Sequence, residues 1–198
     1  MAGLFERIIS QGTAAGYSPA RTQQSRDWYR EIAQSFSRVR DNQILSSDNK
    51  TNRILPGRMY MFRYNPIGKK TLPYYDRFPL VFPISVDANS FHGINLHYLP
   101  HSYRAILMDN LYELISNDRY DLSTKIRMSY NLLNRMAKFK FFRPCIKRYI
   151  IQNKTTDFIY ISPEHWDIAL FLPTERFSKA SKDKVWQDSI KKVRANGL

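Results

Sequence analysis

Apolar positions near the N-terminus recur at helical spacing. Leu4, Phe5, Ile8 and Ile9 form a short stripe that Gly12, Gly16 and Pro19 then interrupt. From about Thr22 to Ile44 the spacing predicts a longer helix, with Trp28, Ile32, Phe36 and Val39 three or four residues apart and Arg and Gln between them. A polar linker over 46–52 follows, and the period changes from helical to alternating. Strands are predicted over 59–64, 80–86 and 91–99, the last with Ile94, Leu96 and Tyr98 on one face, before Pro100 closes it. Two helices come next, one capped by Ser102 and carrying Ile106, Leu107, Leu111 and Leu114, the other starting at Ser123 with Ile126, Tyr130 and Leu133. Strands at 145–151 and 157–161 flank a polar turn and read as a hairpin. A short helical turn at 163–166 and a Lys-rich helix over 178–194 end the chain.

Five short antiparallel strands with two helices between the third and fourth define an α+β fold. The order suits a small SH3-like antiparallel β-barrel with a two-helix insertion, an N-terminal helical arm and a C-terminal helix; an open α+β sheet is the alternative. The expected division is an arm and linker over 1–55, a barrel domain over 56–175 with its insertion at about 101–137, and a basic helix over 176–198.

Composition narrows the function classes. The 198 residues are 43% hydrophobic and 14% aromatic, enough for a packed core. A single Cys excludes a disulfide framework and a multi-thiolate zinc site. No apolar run is long enough to span a membrane, and the first residues do not read as a secretory signal. The net charge of +14 calls for an anionic partner, and the excess peaks over 104–161, where 11 basic residues face 5 acidic ones.

Candidate chemistry is sparse. His92, His97, His101 and His165 are scattered, and Pro100 stops a helix from aligning His97 with His101. Cys145 lies in an apolar strand context and reads as a buried small side chain. Asp109 and Glu113, at i and i+4 with Asp118 and Asp121 nearby, could hold a divalent metal for a nuclease, although such pairs commonly form a solvated face. With no phosphate loop or dinucleotide fingerprint, no cofactor and no small-molecule substrate is expected.

Three segments point to partners instead. Residues 72–79 bracket aromatics, among them Tyr74 and Tyr75, between two prolines, as a groove-lining or core-covering loop would. The cations Arg135, Lys138, Lys140, Arg143, Lys147 and Arg148 have no acid among them and interleave with Phe139, Phe141, Phe142 and Tyr149. Such a run suits phosphate contacts with ring stacking, though strand alternation alone produces the same pattern. Trp28, Ile32 and Phe36 would make the N-terminal helix a protein-docking arm, since a lone helix cannot bury its own stripe.

Three strings carry a family resemblance: residues 56–62 (PGRMYMF), 72–81 (LPYYDRFPLV) and 93–100 (GINLHYLP). They resemble structural proteins of large T-even-type contractile-tailed bacteriophages, and most of all the DNA end protectors, a head-completion family. The resemblance implies a non-enzymatic virion component, made in the host cytoplasm, that binds the end of packaged double-stranded DNA in the head or neck. Portal, neck or tail components would be its protein partners. A tail or baseplate protein acting through protein contacts alone is the competing reading.

Overall fold

The computed structural model describes residues 3–18, 22–46, 49–137 and 142–195. Three helices open the chain: α1 (Leu4–Ala14), α2 (Gln23–Ser35) and the short α3 (Asp41–Leu45). Strands β1 (Lys50–Thr51), β2 (Met59–Met61), β3 (Tyr75–Asp76), β4 (Leu80–Val86) and β5 (Ser90–Asn95) follow, then helices α4 (His101–Ile115) and α5 (Leu122–Ala137). The chain returns to strand in β6 (Ile146–Ile150) and β7 (Phe158–Ile161), then passes through α6 (Trp166–Phe171) and β8 (Phe177–Ser178) to α7 (Lys182–Ala195).

Among the described residues six strands form an antiparallel sheet in the order β1-β7-β2-β4-β5-β6, and β3 pairs with β8 in a separate ribbon. The antiparallel α+β expectation holds, but the sheet is not closed into a barrel: β1 and β6 are its two edges. Closure would require those edge strands to meet, and alternation within single strands carries no information about that. Pairing with neighbours on both sides instead makes β4 a central strand, with a bulge between Pro83 and Ser85 where the proline cannot donate to the ladder. Gly93 sits opposite Pro83, and a Cβ there would fall 2.3 Å from Val81 Cγ1, so only glycine lets the two strands approach.

Both faces of the sheet are apolar. Met59, Met61, Leu80, Phe82, Ile94, Ile159 and Ile161 face the helices in one large core. Tyr60, Phe62, Val81, Phe91, Tyr149 and Phe158 form a second cluster on the opposite face. Its rings meet mainly edge-on, Phe62 lying 4.9 Å from Phe158 and 5.5 Å from Tyr149.

Two expected elements end early for visible reasons. The third strand stops at Asn95, whose side chain accepts the His97 amide at 3.0 Å and turns the chain into a 3-10 helix over Leu96–Tyr98. The long N-terminal helix breaks at Phe36, where the backbone becomes extended. Arg176 holds that break by donating to the Val39 carbonyl and to Asp41 Oδ1. Val39 is thereby delivered into the main core together with Leu4, Phe5, Ile8, Tyr29, Ala33 and Ile44.

Helix α2 turns an unexpected face inward. Thr22 caps it by accepting the Ser25 amide, and its buried positions are Ser25, Arg26, Tyr29, Arg30 and Ala33. Arg26 and Arg30 are 1% and 8% exposed and reach Asp167 on α6 and Asp109 on α4. The shortest of these contacts are Arg26 Nη2 to Asp109 Oδ1 at 2.7 Å and Arg30 Nε to Asp167 Oδ1 at 2.8 Å. Arg104, wholly buried, similarly ties α4 to the carbonyls of Leu99 and Leu170 and to Glu175.

Candidate nucleic-acid interface

The loop of residues 66–74 is folded back on the body by Lys179, whose ammonium donates to the carbonyls of Lys70 and Leu72, both at 2.9 Å. Lys179 is the one described non-glycine residue in the left-handed region, with φ 70°. This places Tyr74 beside Tyr98, ring centroids 6.1 Å apart, at the rim of a cleft of about 400 Å³. Strand β6 supplies Lys147 and Arg148 to the same cleft, helix α7 supplies Lys192, and Tyr64, Tyr75 and Tyr149 complete its walls.

Lys147 is the most perturbed of these cations. Its ammonium lies 4.1 Å from the centroid of the Tyr98 ring, and burial, with repulsion from Lys192, brings it down to about 8. Burial, reinforced by Asp76, holds the Tyr98 hydroxyl far above the usual phenol range, so it stays neutral. Burial likewise pushes the Cys145 thiol up to about 12. The carboxylate in the cleft wall, Asp76, is engaged on every side: it accepts from Asn95 Nδ2 at 3.1 Å and from the Phe78 amide at 3.0 Å, and pairs with His97 Nδ1 at 2.7 Å. Cations and phenol rings therefore meet a ligand there without a free carboxylate beside them.

His97 continues that network, its Nε2 lying 3.1 Å from Thr174 Oγ1. The order hydroxyl, imidazole, carboxylate is that of a nucleophile relay. Here Thr174 is 1% exposed and His97 wholly buried, so a substrate has no route to the hydroxyl, and the chain of bonds joins β3 and β5 to the segment before β8. Asp109 is likewise committed, to Arg26 and Arg30. Among the described residues no group of three or more His, Cys, Asp or Glu side chains is arranged to hold a metal ion.

The expected partner-binding residues separate into four sets. Tyr74, Tyr75, Lys147 and Arg148 come together in the cleft. Arg135, on the last turn of α5, and Arg143, on a 3-10 turn before β6, are exposed but do not line this cleft. Lys138 and Lys140, with Phe139 and Phe141, lie outside the described residues. Trp28, Ile32 and Phe36 are half-buried against the main core, Trp28 stacked on Tyr17 at 5.2 Å. Tyr64, Tyr98 and Lys192 were not singled out from sequence. Tyr98 read as one of a row of strand residues, and the turn at Asn95 is what redirects it; Lys192 is one lysine among several on a polar helix, and only its docking beside β6 distinguishes it.

Neither a curated protein nor a solved structure matches the chain significantly. The family model of the phage T4 terminal DNA protecting protein does match, over residues 5–195, nearly the whole chain and all the elements that build the cleft, and the protein belongs to that family of phage DNA-protecting structural proteins.

Proposed function

We propose that this protein binds the ends of a linear duplex genome in the virion, without cutting them, and that the tyrosine–lysine cleft is where it touches the DNA. The observation that carries this reading is the convergence of Tyr74, Tyr98, Lys147 and Lys192, from separate stretches of chain, around a cleft whose carboxylate is already satisfied. Cations supply the sequence-independent attraction to phosphate, and the half-buried rings of Tyr64, Tyr74 and Tyr75 supply stacking surface, while the buried Tyr98 ring positions the Lys147 ammonium. An end differs from the interior of a duplex in that its last nucleoside unpairs and unstacks at least cost, which suits rings rather than a groove-reading helix. Head, neck or tail proteins would hold the protein in place at the DNA end.

The test compares a linear duplex with a covalently closed dumbbell of the same sequence, by fluorescence anisotropy and by resistance to an exonuclease. The linear form is expected to bind more tightly and to survive digestion. The double variant Lys147→Ala with Lys192→Ala should lose affinity about tenfold or more, and its salt dependence should flatten by about 0.9 in log–log slope per phosphate contact removed. Equal binding of linear and closed forms would sink the end-binding reading.

A further inference from the structure

On the other side of Tyr64 and Tyr75 lies a second, larger cleft, of about 550 Å³, whose walls carry five arginines and one carboxylate. The carboxylate, Asp41, is shared by two of them: Arg63 Nε at 3.4 Å and Arg176 Nε at 3.1 Å. Arg176 is further fixed by the carbonyls of Pro173 and Glu175, and Arg63 by Asn42 Oδ1 at 3.1 Å. The other three, Arg38, Arg40 and Arg77, are exposed and make no ion pair among the described residues.

Five guanidinium groups facing one carboxylate repel one another, and no described part of the chain supplies the missing negative charge. The planar fork of Arg is the side chain best matched to phosphate oxygens, which it binds two at a time. The ligand chemistry is therefore a phosphate carrying more than a single charge, or several phosphates in succession.

The shared wall says which phosphate. Tyr64 and Tyr75 line both clefts, so a molecule with an aromatic part in the tyrosine cleft places its neighbouring group among the arginines. The tyrosine cleft, at about 400 Å³, suits one nucleoside rather than the face of a duplex. Within a duplex that nucleoside would have to be unpaired and unstacked; at a frayed or overhanging end this cost is least. A terminal phosphate monoester also carries nearly two negative charges near neutral pH, against one for an internal diester.

We propose that the arginine cleft is the binding site for the terminal phosphate of a DNA strand whose end nucleoside occupies the tyrosine cleft. The proposal rests on the end-binding reading above and adds to it a recognised group. It makes the protein a reader of the chemical state of the strand terminus, not only of its presence.

The experiment measures binding of the full chain to linear duplexes carrying either a phosphate or a hydroxyl at the 5′ ends, and separately at the 3′ ends, each blunt or with a short overhang. Phosphorylated ends of one polarity are expected to bind about tenfold more tightly, the scale of one or two charge-assisted hydrogen bonds. The triple variant Arg38→Gln, Arg40→Gln, Arg77→Gln should bring that ratio close to one with an unchanged melting temperature, its affinity for phosphorylated ends falling about tenfold more than that for hydroxyl ends. Inorganic phosphate and a nucleoside monophosphate serve as competitors; displacement of the DNA by either at equal concentration would reassign the cleft to a free small anion and overturn the proposal. So would a wild-type protein that binds ends well but ignores their phosphorylation, which leaves the end-binding reading standing. A wild-type protein indifferent to ends removes both. Because the phosphorylation comparison needs no variant, poor folding of the triple variant leaves the proposal open to refutation.

Discussion

The protein uses arginine in two opposite ways. Around α2, Arg26 and Arg30 are buried, and each pairs with both Asp109 and Asp167. Around Tyr64 and Tyr75, five arginines line a cleft with one carboxylate, Asp41, which pairs with two of them, and the other three stand open to water. In the first region the charge is settled inside the fold, where four hydrogen bonds and the faces of Tyr112 and Phe171 receive the two guanidiniums. In the second it is left for something outside. Counting cations by sequence cannot separate the two; the separation comes from whether a carboxylate arrives from a distant part of the chain.

Removing the first region altogether should have the largest effect. Deleting residues 1–45 takes both buried arginines and also Leu4, Phe5, Ile8, Tyr29, Ala33, Val39 and Ile44 from the main core. The truncated protein is expected to be insoluble or to lack a cooperative thermal transition by circular dichroism. A soluble, cooperatively melting fragment would mean that this segment is an appendage.

Smaller cuts discriminate within the cluster. Asp167→Ala leaves two buried guanidiniums short of a partner and should cost about 3–5 kcal/mol, read as a melting-temperature drop of roughly 6–20 °C. Asp109 accepts from the same two arginines, but its side chain is 53% exposed, and water replaces what Asp109→Ala removes. The expected loss there is about 1 kcal/mol or less. Neither change should alter DNA affinity per folded molecule, which anisotropy on the refolded fraction would check.

The open region should answer to pH instead. Lys147 titrates near 8 in the folded protein, against 10.5 ordinarily. Its charge, and the phosphate contact proposed for it, should be present below that value and lost as pH rises through it, so affinity falls by up to about tenfold between pH 7 and 9. Stability should move the other way: between about 8 and 10.5 the unfolded chain holds a proton that the folded one has released, so folding gains with rising pH across that window. Lys147→Ala should flatten both trends. The smallest effects belong to Arg135→Gln and Arg143→Gln, which line neither cleft and should change affinity less than about twofold, for lack of a shared surface with the tyrosines.

Alternation located β2, β4 and β7 well, because each sends successive side chains to two different clusters, but it did not fix their partners. The expected hairpin of 145–151 with 157–161 does not form: β6 pairs with β5, and β7 pairs with β2 and with β1, which lies in the stretch read as linker. The inner face of α2 was hidden because a helix that buries Arg26 and Arg30 looks polar there, leaving Trp28, Ile32 and Phe36 as the visible stripe. Half of the first cleft was legible, as Tyr74, Tyr75, Lys147 and Arg148, since each lies in a segment of unusual local composition. The rest depends on Asn95 bending the chain so that Tyr98 turns toward Lys147, and on α7 docking over that bend, where Trp186 Nε1 donates to the His97 carbonyl at 2.9 Å. The second cleft draws its arginines from the α2–α3 break, the residues after β2, the β3–β4 turn and the strand-like segment before β8, too far apart in sequence to form a motif.

Tyr64 stands between the two clefts, and it is tied down. Its hydroxyl accepts the outward amide of Ile150 on the edge strand β6 at 3.1 Å, and its ring meets Tyr149 and Phe62 edge-on at 5.0 and 6.0 Å. A side chain held at both its tip and its ring has few rotamers left to surrender on binding a ligand. The same hydroxyl occupies a donor that an exposed sheet edge would otherwise offer to a neighbouring chain. One phenol thus does two jobs that ordinarily conflict: it keeps a strand edge from recruiting other strands while holding a rigid aromatic wall between two clefts.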